Sequence, residues 1–256
     1  MPRNEVVSAF DQISGVYDET RDPLDSGTLD AISADLRSRG IRTILEVGVG
    51  TGRIALPLLQ RGFEVTGLDA SRAMLSRAHS KGIARLVRGD AYRLPFEDGA
   101  FDTALFVHVL HLLDNVPGAL SEAERVGRSG VTGLVHPSPS GPPTTSEMSP
   151  YNPRRIMYRY LEKEGYPPPA HPADPRSRER LLLAEHPPDR LVVVSDREVT
   201  EHLAKRIEML ERRGSRHTLH IPAEVVQRAA AAARAEIGDR TFTYRRIEAL
   251  ATWSKR

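Results

Sequence analysis

The stretch Thr43-Ile-Leu-Glu-Val-Gly-Val-Gly-Thr-Gly-Arg53 decides the fold. Its first five residues read as a short buried strand, and glycines at 48, 50 and 52 then supply a turn into a helix-forming run from Gly52 to Gln60. A glycine-rich turn between strand and helix lets a ligand approach the backbone. The helix N-terminus that follows offers unpaired N–H groups to a carboxylate or phosphate. The glycine spacing is G-x-G-x-G with Glu46 two residues ahead, not the G-x-G-x-x-G of dinucleotide enzymes, which disfavours an NAD-dependent oxidoreductase.

Outward from this turn, strand and helix patterns alternate. Glu64–Leu68, Arg85–Arg88, Phe101–Val107 and Val131–Val135 read as strands; Ser71–Ser80, with Ser71 as N-cap, and Val116–Val126 read as helices. Upstream, residues 5–17 form an amphipathic helix with Val6, Phe10, Ile13 and Tyr17 on one face. Beyond Val135 the alternation breaks, because 13 of the 19 prolines fall between Pro137 and Pro188. Within that stretch Tyr151–Glu164 reads as a helix with Ile156, Tyr160 and Leu161 inward. Leu191–Val194 restarts strand character, residues 198–213 and 223–237 read as helices, and Phe242–Trp253 as a last strand. The pattern predicts an α/β fold: a doubly wound, mostly parallel sheet of seven strands with the last antiparallel, strand six near 190–195, and a helical lid insertion.

Composition bounds the chemistry. A chain of 256 residues, 39% hydrophobic and 27% charged, buries a full core and fits one domain. The absence of cysteine excludes disulfides, thiolate metal sites and cysteine nucleophiles, including the cysteine-dependent route to pyrimidine C5-methylation. No metal site is expected. Residues 176–256 carry 17 Lys and Arg against 12 Asp and Glu, a modest excess, and because nucleic-acid binding needs basic charge clustered on one face an RNA-binding reading is disfavoured. No apolar run reaches the length of a bilayer span and no basic-then-apolar leader opens the chain, so a cytoplasmic protein is expected.

Three further elements follow in order. Asp69 closes the second strand, where a carboxylate can accept both ribose hydroxyls of an adenosyl group; its ordinary reading is a solvated turn. Gly89-Asp90-Ala91 follows strand three, and Leu94-Pro-Phe-Glu-Asp-Gly-Ala-Phe-Asp102 leads into strand four. With E-x-G-x-G-x-G these resemble the class I (Rossmann-like) S-adenosylmethionine-dependent methyltransferases. The resemblance is strongest to the group of ubiquinone and menaquinone C-methyltransferases and small-molecule N- and O-methyltransferases, and it covers residues 10–135.

The resemblance implies S-adenosyl-L-methionine as cofactor and S-adenosyl-L-homocysteine as product. Gly48, Gly50 and Gly52 would face the methionine moiety, with Glu46 near its amino group. Asp69 and Ala70 would hold the ribose, Met74 would pack on the adenine or serve as plain helix core, and Asp90 and Ala91 would frame the base. Val107 and His108 would line the channel to the methyl group. Tyr17-Asp18-x-x-Arg21 is similar to an element that closes over the methionine end, which would make Tyr17 and Arg21 cofactor residues. The chain departs from the family at Val126-Gly-Arg-Ser-Gly-Val131, which keeps a glycine turn without the usual proline, and in its long proline-rich insertion.

A sulfonium is already an activated donor, so positioning supplies most of the catalysis and no nucleophilic residue is required. An acceptor that loses a proton benefits from a base, and His108 and His111 after strand four are the candidates; either also reads as a packed histidine. The expected organisation is one methyltransferase domain. Residues 1–40 form an N-terminal helical cap, 41–136 the cofactor-binding core, 137–188 the lid, and 189–256 the strands and helices that complete the sheet. Tyr151, Tyr158 and Tyr160 would give the lid an aromatic surface for an organic, small-molecule acceptor. An RNA or protein methyltransferase, or a non-catalytic S-adenosylmethionine-binding protein, is the alternative. The Asn/Asp-Pro-Pro-Tyr run of base amino-methylation is replaced here by Val-His-Val-Leu.

Overall fold

The computed structural model describes residues 3–21, 24–137, 152–167, 179, 182–212 and 218–255. In chain order the elements are α1 (Arg3–Ile13), α2 (Ser26–Ser38), β1 (Thr43–Val47), α3 (Ala55–Gln60), β2 (Glu64–Asp69), α4 (Arg72–Ser80), β3 (Leu86–Arg88) and β4 (Thr103–Val107). There follow α5 (Val116–Val126), β5 (Val131–Val135), α6 (Pro153–Lys163), β6 (Arg190–His202), α7 (Leu203–Glu211), α8 (Ala223–Ile237) and β7 (Thr241–Trp253). The described strands form one sheet in the order β3-β2-β1-β4-β5-β7-β6, parallel except that β7 runs against β5 and β6. This is the doubly wound, seven-stranded arrangement the sequence pattern predicts.

Alternation along the central strands fills both faces. Ile44, Leu105 and Val107 pack with Ile32, Leu36, Ala55 and Leu58 on one side. Leu45, Val47, Ala104 and Phe106 pack with Leu120, Ala123, Val126 and Trp253 on the other. Each fully buried Leu or Phe contributes roughly 1.5–3 kcal/mol, so β1 and β4 anchor the domain. The caps follow the sequence: Ser71 Oγ accepts from Met74 N at 3.1 Å, and Asp25 Oδ1 accepts from Thr28 N at 2.9 Å to open α2. The neighbour order reverses between β1 and β4, and the crevice beyond their carboxyl ends is where such sheets bind ligands.

Several expectations need correction. The first helix ends at Ile13, and Tyr17 stands in the turn before a 3-10 segment, Asp18–Thr20. Residues 198–202 are strand, not helix. Cross-strand pairing decides it: Glu198 stands opposite Arg245 and Thr200 opposite Thr243, with the two threonine hydroxyls 2.8 Å apart. The proline-rich stretch holds α6 as expected, with Ile156 and Leu161 buried. Tyr158, however, is buried among α6, α7 and α8, and the Tyr160 hydroxyl donates to Glu236, so these tyrosines serve helix packing. Tyr151 lies outside the described residues.

Of β7, only Ala249–Trp253 pairs with β5, leaving Thr241–Glu248 paired with β6 alone. A two-stranded ribbon therefore runs past the carboxyl edge of the sheet for about 25 Å, taking roughly 3.3 Å per residue. At its end α7 and α8 join α6 around a core of their own, centred on Ile156, Leu161, Ile207, Val226 and Ala230. This three-helix module stands on the ligand side of the sheet.

Asp102 ties the amino ends of β1 and β4 together. Its Oδ2 accepts from Arg42 N and Thr43 N, both at 2.8 Å, and Oδ1 from Arg128 Nη2 at 2.5 Å. Partial burial alone would raise its pKa, but these donors outweigh burial and lower it to about 2. A carboxylate depressed in the folded state stabilises above its unfolded pKa, and that contribution disappears as pH falls through the folded value. The stability gap between wild type and Asp102→Asn is therefore expected to be largest above about pH 5 and to close toward about pH 2. Urea unfolding at stepped pH measures it; a gap independent of pH would refute the charge-based account.

Candidate active site

β1 ends in Val47, and the chain then turns through three glycines in the left-handed region, Gly48 at φ 76°, Gly50 at 55° and Gly52 at 78°. Gly48 N and Val49 N donate to Leu68 O at 2.7 and 3.0 Å, fixing the turn against β2. A Cβ at Gly48 would lie 2.6 Å from Val109 Cγ2, and one at Gly52 2.1 Å from Ile83 Cδ1. At Gly50 it would meet nothing within 4 Å. Gly48 and Gly52 thus serve close packing, while Gly50 opens the backbone to a ligand.

Beyond this turn lies a cavity of about 170 Å³. Glu46, Gly48 and Gly50 from the β1 end, and Asp69, Ala70 and Met74 from the β2 end, line it. Asp90 and Ala91 line it after β3, Val107 and His108 at the end of β4, and Tyr17 comes from the N-terminal segment. Sequence reasoning placed all of these at one site, and the fold brings them together. Gly52, Arg21 and His111 stand outside the wall. Arg21 lies over the Tyr17 ring, 5.0 Å from its centroid, and donates to Thr20 O.

The electrostatics are unusual for a domain core. Glu46 is buried, and burial followed by the Asp69 charge pushes its pKa up to about 8, against the Ala55 N–H that it accepts. Its Oε2 has no hydrogen-bond partner. Asp69 is also raised by burial, although Gly50 N and Ser71 N each donate to it at 2.8 Å. His108 takes φ 56°, a left-handed conformation that costs a side-chain-bearing residue roughly 1–2 kcal/mol. Protein surrounds its ring, yet the ring surface is exposed to the cavity. Burial and the neighbouring His136 lower its pKa to about 4, so it is uncharged at neutral pH.

Residues 45–135 match the methyltransferase-domain family. The demethylmenaquinone methyltransferase of Beutenbergia cavernae is 33% identical over 136 residues, 50% of this chain and 55% of that protein. The demethylmenaquinone methyltransferase of Streptomyces avermitilis is 30% identical over 192 residues, 71% of this chain and 78% of that protein. The chain belongs to the class I S-adenosylmethionine-dependent methyltransferases, in their ubiquinone and menaquinone group. It spans only about half the length of the first of these relatives. An antibiotic-pathway methyltransferase of Anabaena variabilis shares the fold, with a TM-score of 0.58 over 91% of this chain and 99% of that one at 15% identity.

The family cofactor is S-adenosylmethionine, and the residues present fit it. The unpartnered Glu46 Oε2 is a buried acceptor matched to an ammonium group. Asp69, holding two backbone donors, keeps lone pairs for hydroxyls, and Gly50 leaves room at the backbone between them. Met74, 2% exposed, shows an apolar flank to the same cavity.

The N-terminal segment is tied down by residues that motif reading passed over. Asp18 accepts from Thr51 Oγ1 at 2.6 Å and pairs with Lys81 Nζ at 2.6 Å, while Lys81 also donates to Thr51 O at 2.8 Å. Asp11 of α1 accepts from Ser71 Oγ at 2.5 Å and Ala73 N at 3.1 Å, at the N-terminus of α4. Phe10 and Tyr17 meet edge to face with centroids 6.1 Å apart, completing the wall. The signal for Asp18 lay inside the Tyr17-Asp18-x-x-Arg21 element itself. His136, Glu179 and Glu248, packed behind His108, were also missed. Only the place of His136 directly after β5, as His108 follows β4, pointed to it.

Asp18 is partly exposed, so its loss is expected to cost at most about 1 kcal/mol of global stability. Its local effect is expected to be larger. In Asp18→Ala, hydrogen exchange should quicken across residues 5–20 while β1, β4 and β5 keep their protection. Unchanged exchange in the N-terminal segment would show that the Thr51–Asp18–Lys81 contact does not hold it.

Proposed function

We propose that this chain transfers a methyl group from S-adenosylmethionine to a small, largely apolar acceptor, with the cavity at the β1–β4 crevice as the active site. The observation that carries this reading is the buried, unpartnered Glu46 Oε2 beside Asp69 at the ends of adjacent strands. Bound S-adenosylmethionine supplies a sulfonium-activated methyl group, open to in-line displacement by the acceptor. The protein's work is orientation and exclusion of water. Glu46 takes the ammonium end, Asp69 the ribose hydroxyls, and Asp90, Ala91 and Met74 the adenine side. Val6, Val7, Phe10, Leu112 and Leu113 give the wall an apolar stretch suited to an organic acceptor, such as the quinone rings named by the relatives. His108, uncharged and facing the cavity, is placed to accept a hydrogen bond from the acceptor. His111 lies off the wall and is left as a supporting residue.

In this reading the lid is the N-terminal segment, whose Val6, Phe10 and Tyr17 line the cavity, with the three-helix module braced against it and no described residue of that module in the wall. Arg212 at the end of α7 pairs with Glu19, and Arg197 on the ribbon pairs with Asp25 at 3.1 Å. Several cations of the C-terminal third are paired with carboxylates, within it (Arg206 with Glu201, Arg234 with Glu211, Arg245 with Asp196) and outside it (Arg190 with Asp35, Arg228 with Glu164). This pairing favours a small acceptor over a nucleic acid.

Because Glu46 is pushed up to about 8 in the free protein, it is protonated at neutral pH. An incoming ammonium favours its carboxylate, so binding releases a proton below that value, and affinity rises with pH until about 8. Calorimetry with S-adenosylhomocysteine in two buffers of different ionisation enthalpy is expected to show close to one proton released at about pH 7 and none in Glu46→Gln. Asp69→Ala is expected to weaken binding by about 1.5–3 kcal/mol, and NAD to give no heat. Absence of binding by both S-adenosylmethionine and S-adenosylhomocysteine would overturn the reading.

A further inference from the structure

His136 follows β5 as His108 follows β4, and β4 and β5 are parallel neighbours, so two imidazoles reach the same carboxyl edge. Their rings are nearly parallel, 27° apart in plane with centroids 6.1 Å apart. His108 faces the cavity; His136 stands behind it. His136 Nδ1 is 3.4 Å from Glu179 Oε1 and Nε2 is 3.8 Å from Glu248 Oε1. The His136 backbone N–H also donates to Glu179. Both carboxylates are buried, Glu179 at 8% and Glu248 at 2% exposure, and Glu248 Oε2 has no hydrogen-bond partner. A buried carboxylate without a compensating charge is strongly unfavourable, and an imidazole with a carboxylate at each nitrogen answers both only when both nitrogens carry protons. Burial would raise both glutamates, yet His136 keeps them below their usual range.

The charged and titratable groups that face His108 are His136, Glu248, His111 and Arg53. Those around His136 are Glu179, Glu248 and His108, with Arg246 beyond Glu248 and His111 beside Glu179. We propose that the His136 imidazolium, clamped between Glu179 and Glu248, is a positioning residue that holds His108 as an uncharged cavity wall beside a cationic methyl donor. The proposal rests on the cofactor reading above. An imidazolium behind His108 makes a second cation there costly. A charged His108 would repel a sulfonium and would lose the lone pair that can accept a hydrogen bond from an acceptor.

Nitrogen-15 NMR of the histidine rings, assigned with His108→Gln and His136→Gln, tests the clamp without turnover. His136 is expected to carry two ring protons at about pH 7, and His108 only one down to about pH 5. In His136→Gln the His108 titration is expected to move up by about one pH unit or more, a tenfold change in its protonation equilibrium. Calorimetry with S-adenosylmethionine and S-adenosylhomocysteine on the same proteins adds a second readout, since any Glu46 protonation is common to both ligands and cancels in their ratio. In His136→Gln the sulfonium ligand is expected to lose about threefold or more relative to the thioether at about pH 4.5, while the wild-type ratio changes little. If His136→Gln does not fold, Glu179→Gln is expected to lower the pH at which His136 loses its second proton, and no change there counts against the clamp. A single ring proton on His136 at neutral pH, or an unmoved His108 titration in His136→Gln, overturns the proposal. Wild-type protein that binds neither ligand would instead defeat the cofactor reading, with the NMR titrations still deciding the clamp.

Discussion

Asp69 accepts from Gly50 N on one oxygen and from Ser71 N on the other, each at 2.8 Å. Those donors belong to the turns that follow β1 and β2, so one carboxylate joins the two loops just beyond the point where Gly48 N and Val49 N are already tied to Leu68 O. The effect propagates. Ser71, placed by Asp69, caps α4 and donates to Asp11, which fixes α1 against the same corner. Gly50, placed by the same side chain, leaves Thr51 where Asp18 can reach it. The floor of the cavity and the N-terminal wall above it therefore share one origin.

This arrangement is costly to the isolated protein. Glu46 and Asp69 are neighbouring carboxylates at the ends of adjacent strands, and burial raises both. Apolar residues of similar shape would make a more stable core. The His136 cluster adds two more buried acids at the opposite side of the crevice. Sites where local stability rules are broken are the sites where a ligand is expected to restore them, and here the broken rules surround a single cavity.

Much of this was legible in the sequence because it is local. A glycine turn after a strand, an acid closing the next strand and an Asp-Ala pair after the third are each fixed by a few consecutive residues, and the parallel sheet brings their ends together. The cavity-lining groups at the ends of β1, β2, β3 and β4 follow from that rule. What escaped was set by distant partners. Asp18 matters because of Thr51 and Lys81, and His136 because of Glu179 and Glu248, separations that no periodicity records. The helical reading of residues 198–202 failed for the same reason, since only β7, some forty residues onward, makes them a strand. Tyr158 and Tyr160 read in sequence as a binding surface, but they pack in the helix cluster, where the Tyr160 hydroxyl donates to Glu236 of α8.

The order of strands across the sheet differs from their order along the chain. β7 lies between β5 and β6, so β6, thirteen residues long, has no partner until the chain has been made through Trp253. β5 meanwhile keeps one edge open, and the α7–α8 pair hangs from a ribbon with a single strand. During synthesis the parallel half of the sheet can collapse early around β1 and β4, but the ribbon and its helices must wait for this late insertion. Two bare strand edges over that interval are templates for pairing with another chain. Leu191 and Val193, exposed on β6 even in the finished fold, mark where a newly made copy is most open to the wrong neighbour.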